Sequence, residues 1–163
     1  MDRGQCIFLR SRSEADTIRW GCLLGRLLSP GAVLALRGEL GSGKTRFVQG
    51  LAQGLDVPPQ ERVSSPSFAL IHEYLGGRLP LYHVDLYRLP EGMPDPELGL
   101  EEYLYGQGVC AIEWADRAAA WLPPERLEVE LLILGKRSRE MRLEAVGADH
   151  QAVLSRLKEQ VGG

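Results

Sequence analysis

The sequence is poor in the features that mark several protein classes. It has three cysteines, Cys6, Cys22 and Cys110, an odd and scattered set. They make neither a disulfide framework nor the paired spacing of a zinc site, and they suit thiols kept reduced in a cytosol. No apolar run approaches the roughly 18 residues of a membrane span. At the N-terminus Asp2, Arg3, Arg10 and Arg12 bracket only Cys6-Ile7-Phe8-Leu9, which does not make a signal peptide. A cytoplasmic chain with no membrane partner is therefore expected. Excess positive charge is also lacking. The net charge of −3 argues against a protein whose main task is coating nucleic acid, though it leaves room for a local basic patch. There is no internal repeat, low-complexity tract or linker. The 163 residues, 44% apolar and 25% charged, are expected to form one globular domain with a real core.

One stretch organises the rest. Gly38-Glu39-Leu40-Gly41-Ser42-Gly43-Lys44-Thr45 fits G-x-x-x-x-G-K-[ST], the P-loop pattern. Before it, residues 32–36 are continuously apolar and read as a buried strand. After it, residues 46–55 place Phe47, Val48, Leu51 and Leu55 at helical spacing. The glycines let several backbone N–H groups turn toward one anion, and the helix N-terminus adds partial positive charge. In that setting Lys44 reaches β- and γ-phosphates and Thr45 offers a hydroxyl to Mg²⁺.

Residues 5–9 read as a first strand. Ser13 followed by Asp16 matches a capping box, opening a helix with Ile18, Cys22, Gly25 and Leu28 on one face. Residues 68–75 and 79–86 are β-like runs around Gly76-Gly77-Arg78, and so predict a hairpin. Residues 90–96 carry three prolines and a glycine, and predict a loop. Residues 97–105 suggest a short helix, residues 109–112 an apolar strand, and residues 115–121 one or two helical turns. Residues 127–134 and 139–146 form a second predicted hairpin, its second strand half exposed. Residues 148–161 predict an amphipathic helix with Val153, Leu154, Leu157 and Val161 on one side. Two hairpins beside a strand–loop–helix unit imply a mixed sheet.

A nucleotide site of this type needs an acid beyond the loop. Two apolar runs end on one: residues 81–84 on Asp85, and residues 109–112 on Glu113. Spacing does not divide the metal role between them. Ser65 and Ser67 lie on a proline-stiffened segment where a phosphate-sensing switch would sit, or where serines simply cap a loop. His83 shares a strand face with Asp85, as a general base or as a packed or hydrogen-bonded histidine. Arg88 reads as a phosphate or carboxylate partner or as a solvated charge. Trp114 either stacks on a partner or fills core. Lys136, Arg137, Arg139 and Arg142 read as a solvated hairpin or as a patch for RNA.

Taken together, these motifs resemble the TsaE (YjeE) family of ATPases. The family's G-D-L-G-A-G-K-T stands here as residues 38–45, with Glu39 for Asp and Ser42 for Ala. Its S-P-T-F stands as Ser65-Pro66-Ser67-Phe68, and its H-x-D-L-Y-R-L is matched in full by His83-Val84-Asp85-Leu86-Tyr87-Arg88-Leu89. Glu97-Leu98-Gly99-Leu100-Glu101-Glu102-Tyr103 and Glu113-Trp114 follow in the family's order. The likeness runs over residues 13–146, between a first strand within residues 1–12 and a C-terminal helix within residues 147–163.

The resemblance implies an α/β fold, P-loop NTPase-like and three-layered, with a mixed parallel and antiparallel sheet. It implies ATP and Mg²⁺ as cofactors, with Gly41, Ser42, Gly43, Lys44, Thr45 and Arg46 around the phosphates. It sets Glu14 and Thr17 beside the adenine and Arg139 near the nucleotide. Thr45 and Glu113 would hold Mg²⁺, and Asp85 would orient or deprotonate the attacking water or bind metal through water. Lys44, Asp85 and Glu113 are thus the expected catalytic set. Ser65 and Ser67 would belong to a switch, and Trp114 and Arg88 to the edge of the site. The implied activity is ATP hydrolysis, weak alone, that drives or resets a TsaD–TsaB complex transferring threonylcarbamoyl to tRNA, with tRNA met only through that complex. The alternatives are a small-molecule P-loop kinase, which residues 90–96 weaken by carrying no arginine for a lid, and a nucleotide-gated binding module.

Overall fold

The structure, a computed structural model, describes residues 3–66, 70–88 and 99–162. Ser67 and Phe68 of the expected switch, the loop at residues 90–96, and Glu97 and Leu98 lie outside the described residues. The elements in chain order are β1 (Arg3–Ser11), α1 (Glu14–Leu27), β2 (Val33–Arg37), α2 (Lys44–Gly54), β3 (Ile71–Tyr74), β4 (Leu81–Asp85), α3 (Leu100–Leu104), β5 (Val109–Glu113), a 3-10 segment (Ala115–Trp121), β6 (Arg126–Ile133), β7 (Arg139–Val146) and α4 (Ala148–Gly162).

Among the described residues one sheet runs β1-β7-β6-β2-β5-β4-β3. Its centre, β6-β2-β5-β4, is parallel. Both expected hairpins are present at the flanks: β3 pairs antiparallel with β4, and β7 with β6, while β1 closes the far edge against β7. The sheet is therefore mixed. β5 is buried along its whole length because layers cover both faces. Leu34 and Leu36 of β2 point to a core shared with α1, α2 and α4. Val33 and Ala35 point to a second core under α3 and the 3-10 segment. That is the expected three-layer α/β arrangement.

Ser13 caps α1, its Oγ accepting from the Asp16 N–H at 3.1 Å. The return bond of a capping box is displaced by one residue, since the Asp16 carboxylate accepts from the Arg12 N–H at 2.9 Å. The buried face of α1 also differs from the expected one. It carries Thr17, Gly21, Leu24, Gly25 and Leu28, while Ile18 and Cys22 are half-buried. The cause is backbone approach. A Cβ on Gly25 would stand 2.6 Å from the Leu51 carbonyl oxygen, and one on Gly50 would run into the Ile18 carbonyl. Gly21 and Gly25 of α1 thus face Gly50 and Gly54 of α2, and no side chain fits between the helices.

α4 buries Val153, Leu154 and Leu157, as its pattern predicts, with Val161 packed at the margin. Its His150 is buried, and Nε2 accepts from the Val33 N–H at 3.2 Å. Burial lowers the His150 pKa from its ordinary value of 6.5, and the negative charges of Asp149 and Glu125 oppose the shift. β7 alternates as expected, with Met141, Leu143 and Ala145 facing inward, and β6 alternates in the same way through Leu127, Val129 and Leu131. Outside, Arg126 pairs with Glu128 at 2.6 Å and Arg142 with Glu144 at 2.9 Å. Arg142 is thereby engaged on the outer face of the sheet.

The parallel register aligns three strand ends. Leu36 of β2 lies opposite Glu113, and Glu113 lies opposite Asp85. The loop after β2 therefore opens beside two carboxylates.

Candidate functional site

The glycine loop has the backbone its residue types allow. Gly38, Gly41 and Gly43 take φ of +153°, +83° and +105°. At Gly38 space adds to conformation, because a Cβ there would stand 2.8 Å from the Leu131 carbonyl oxygen. Gly43 opens α2 without a side-chain cap, so the first amides of that helix are left for another acceptor. The Ser42 Oγ is buried and has no hydrogen-bond partner. The loop is in these respects a cradle for an anion.

Lys44 folds back over this loop. Its Nζ donates to the carbonyls of Gly38 at 2.5 Å and Glu39 at 3.1 Å. It also lies 4.1 Å from the centre of the Trp114 ring. Burial lowers the Lys44 pKa below its ordinary value, and the charges of Glu113, Asp85 and Asp116 pull it back up. Trp114 achieves this contact from a left-handed backbone, φ +59°, an uncommon conformation for a bulky residue. Its other neighbour is Tyr87, with ring centres 5.0 Å apart.

The two strand-end acids are held by different partners. Glu113 accepts from the Thr45 hydroxyl at 3.0 and 3.1 Å and meets His83 Nε2 at 2.5 Å. Asp85 accepts from the Ser65 hydroxyl at 2.5 Å and from the Tyr87 N–H at 2.9 Å. Ser65 reaches Asp85 because the two residues before it are tied down. Gln49 of α2 donates to the Val63 carbonyl, and the Tyr74 hydroxyl accepts from the Ser64 N–H. A cavity of about 370 Å³ opens among Lys44, Thr45, Ser65, Asp85, Glu113 and Trp114.

A second cavity, about 480 Å³, lies on the other side of Gly41 and Gly43. Ser13, Glu14 and Thr17 line it from α1, and Lys136, Arg137 and Arg139 from the β6–β7 hairpin. Glu14 meets Arg46 at 3.4 Å. The Thr17 hydroxyl is shared with Ser11 at 2.7 Å, so Thr17 presents chiefly its methyl to Gly43. Arg139 donates to the carbonyls of Ser42 and Gly41, each at 3.0 Å, and to those of Gly135 and Ser138. It fastens the hairpin to the glycine loop.

Of the residues singled out from sequence, the structure gathers Glu14, Thr17, Gly41, Ser42, Gly43, Lys44, Thr45, Arg46, Ser65, Asp85, Glu113, Trp114 and Arg139 around one loop. Arg88 is exposed in the turn after β4 and lines neither cavity. Ser67 lies outside the described residues. Sequence reasoning left Lys136 and Arg137 as solvated or RNA-facing charges, whereas they rim the second cavity. It also gave no role to Tyr87. No signal in the hairpin itself marks Lys136 and Arg137. Only the pairing of β6 beside β2 brings them to the loop.

Among the described residues no three His, Cys, Asp or Glu side chains gather as a metal cage. Two carboxylates and the Thr45 hydroxyl fit instead a hard cation bound jointly with phosphate oxygens, as Mg²⁺ commonly is. No helix of the described residues is long and apolar enough to cross a membrane.

Comparison with known proteins agrees with this geometry. The family model described as threonylcarbamoyl adenosine biosynthesis protein TsaE matches residues 11–141. The tRNA threonylcarbamoyladenosine biosynthesis protein TsaE of Treponema pallidum is 47% identical over 131 residues, which cover 80% of this chain and 95% of that protein. The TsaE protein of Bacillus subtilis is 44% identical over 148 residues, 91% of each. The crystal structure of Bacillus subtilis YdiB superposes with a TM-score of 0.85 at 36% identity, over 99% of both chains. With the fold, the order of motifs and these relatives in agreement, the chain belongs to the TsaE family of threonylcarbamoyl adenosine biosynthesis proteins.

Proposed function

We propose that this chain is an Mg²⁺-dependent ATP hydrolase, weak alone, whose turnover drives or resets a TsaD–TsaB complex that modifies tRNA. The observation that carries the reading is the contact of Thr45 with Glu113 at 3.0 Å, beside the Gly38–Lys44 cradle. It unites the hydroxyl after the loop lysine with a buried strand-end carboxylate, the pair that nucleotide-bound Mg²⁺ requires.

In this reading Lys44 exchanges the carbonyls of Gly38 and Glu39 for phosphate oxygens, and the free N–H groups at the start of α2 point at the same anion. Thr45 and Glu113 hold Mg²⁺. When bound there, the cation would supply positive charge to the phosphate oxygens. Asp85 stands across the cavity, oriented by Ser65 and the Tyr87 N–H, and takes up or directs the proton of the attacking water at its carboxylate. Ser65 couples that acid to the segment before β3, which makes the segment a switch. Leu40 and Tyr87 are 71% and 46% exposed at the rim of this cavity. A partner docking there would exclude water and complete the site, which accounts for weak turnover alone.

The test is ATP turnover with and without TsaD and TsaB. Stimulation by both proteins is expected, with loss of turnover on chelation of Mg²⁺. Turnover indifferent to them, with phosphate passed to a metabolite, would identify a small-molecule kinase instead.

A further inference from the structure

We propose that His83 is a positioning residue for Glu113, and that its imidazole sets the rotamer in which that carboxylate meets Thr45. His83 is completely buried, and its Nε2 lies 2.5 Å from Glu113 Oε2. A carboxylate only accepts, so the ring nitrogen facing it is the donor. The other ring nitrogen, Nδ1, is buried with no hydrogen-bond partner. The ring therefore has one polar contact to make, and it makes it to Glu113. The strands supply the geometry: His83 sits on β4 opposite Ala111 of β5, two pairs before Asp85 opposite Glu113. The small Ala111, opposite His83, leaves room for the Glu113 side chain to reach back to the Nε2 edge of the ring.

Glu113 is thus gripped from two sides. Thr45 donates to both carboxylate oxygens, while His83 donates to Oε2 alone. The Thr45 hydroxyl can turn away to another acceptor, because its side chain is half-buried at the cavity wall. The His83 ring cannot, because it is locked in the sheet. It is the fixed half of the grip, and it holds the carboxylate at the cavity wall when Thr45 lets go. Buried partners that orient a ligating carboxylate commonly contribute about 10–100-fold to metal affinity or activity.

The test compares His83→Gln with His83→Asn. The glutamine amide reaches about as far as Nε2, and the asparagine amide stops near Nδ1. A crystal structure of each variant without nucleotide is expected to show Glu113 in its parental rotamer in His83→Gln and displaced from Thr45 in His83→Asn. Glu113 still bonded to Thr45 in His83→Asn would overturn the inference. The second arm rests on the nucleotide reading above. His83→Asn should weaken the Mg²⁺ dependence of ATP binding about 10–100-fold, with affinity in a chelator unchanged, and His83→Gln should restore most of it. Equal losses in both variants would mean that the ring only fills space, and would overturn the inference. If His83→Asn does not fold, the wild-type ring decides. A slowly exchanging Nε2–H resonance that moves in Glu113→Gln is expected, and a ring protonated on Nδ1 alone overturns the assignment. A wild-type protein that binds no nucleotide would sink the functional reading, while the rotamer of Glu113 would still decide the role of His83.

Discussion

The two cavities beside the glycine loop share Glu14, Gly41, Gly43 and Arg46, yet they are built from different material. The acid-lined one is walled by the buried ends of β4 and β5. Its carboxylates already have partners, and they have little room to move. The basic one is walled by an exposed hairpin tip and the first turn of α1, where Lys136 and Arg137 stand in solvent. The difference separates two tasks. Groups that act on a reacting bond gain from being fixed in advance, whereas groups that hold the rest of a ligand can adapt to it.

The contrast can be broken most sharply at Lys44. Lys44→Ala is expected to lower turnover about 10³-fold and to abolish tight nucleotide binding, measured by ATP hydrolysis and calorimetry. Parental affinity would show that neither cavity takes phosphate. Glu113→Gln should lower turnover about 10²-fold while leaving nucleotide affinity without Mg²⁺ nearly unchanged. An equal loss of affinity would erase the distinction between a reacting wall and a holding wall.

The third test strikes the floor that both cavities share. Gly50→Ala forces a methyl into the α1–α2 contact, and should cost about 1–3 kcal/mol in denaturant unfolding. Because α1 carries Glu14 and α2 carries Thr45, nucleotide binding should weaken as well. Unchanged stability would mean that the helices can slide apart freely. Arg139→Ala removes the bonds to Gly41 and Ser42, and should weaken nucleotide binding about 3–10-fold. Arg139→Lys should not restore it, since a single ammonium cannot bridge the same carbonyls.

The smallest effect belongs to His150, remote from both cavities. Its folded pKa lies below 6.5, so in the window just under 6.5 the unfolded chain binds more protons. The stability it contributes is complete above pH 6.5 and is lost as pH falls through the lower folded value. Melting curves against pH should show this loss in the wild type and a flatter profile in His150→Gln. Nucleotide affinity at pH 7.5 should be the same in both proteins.

Much of this could be read from the chain beforehand, for reasons that differ by element. The residues of β2 and β5 form apolar runs up to a single end charge because those strands are covered on both faces, and burial of that kind writes itself into composition, whereas β4 interrupts its run with His83. Asp85 and Glu113 stood out as the charges that end such runs. The expected face of α1 shares Gly25 and Leu28 with the observed one but takes Ile18 and Cys22 where Thr17 and Gly21 are buried, because a glycine and a threonine buried by close backbone approach do not look apolar. The capping bond of Asp16 shifted because a carboxylate can choose between two adjacent amides. The bonds of Ser65 to Asp85 and of His83 to Glu113 depend on strand order. Nothing local in the sequence says that β4 lies beside β5, or that the tip of β6–β7 reaches the loop after β2.

The pairing of β1 with β7 has a consequence in time. Arg3 lies opposite Val146, so β1 has no strand beside it in the sheet until β7 has been synthesised. The glycine loop and its two helices lie within residues 14–54 and can associate early, glycine against glycine. Asp85 arrives next, then Glu113, and Arg139 last of all. A growing chain thus has the cradle before the acids and the acids before the clasp. The bond from Arg139 to Gly41 can form only when β7 does, the same strand that finally gives β1 its place in the sheet.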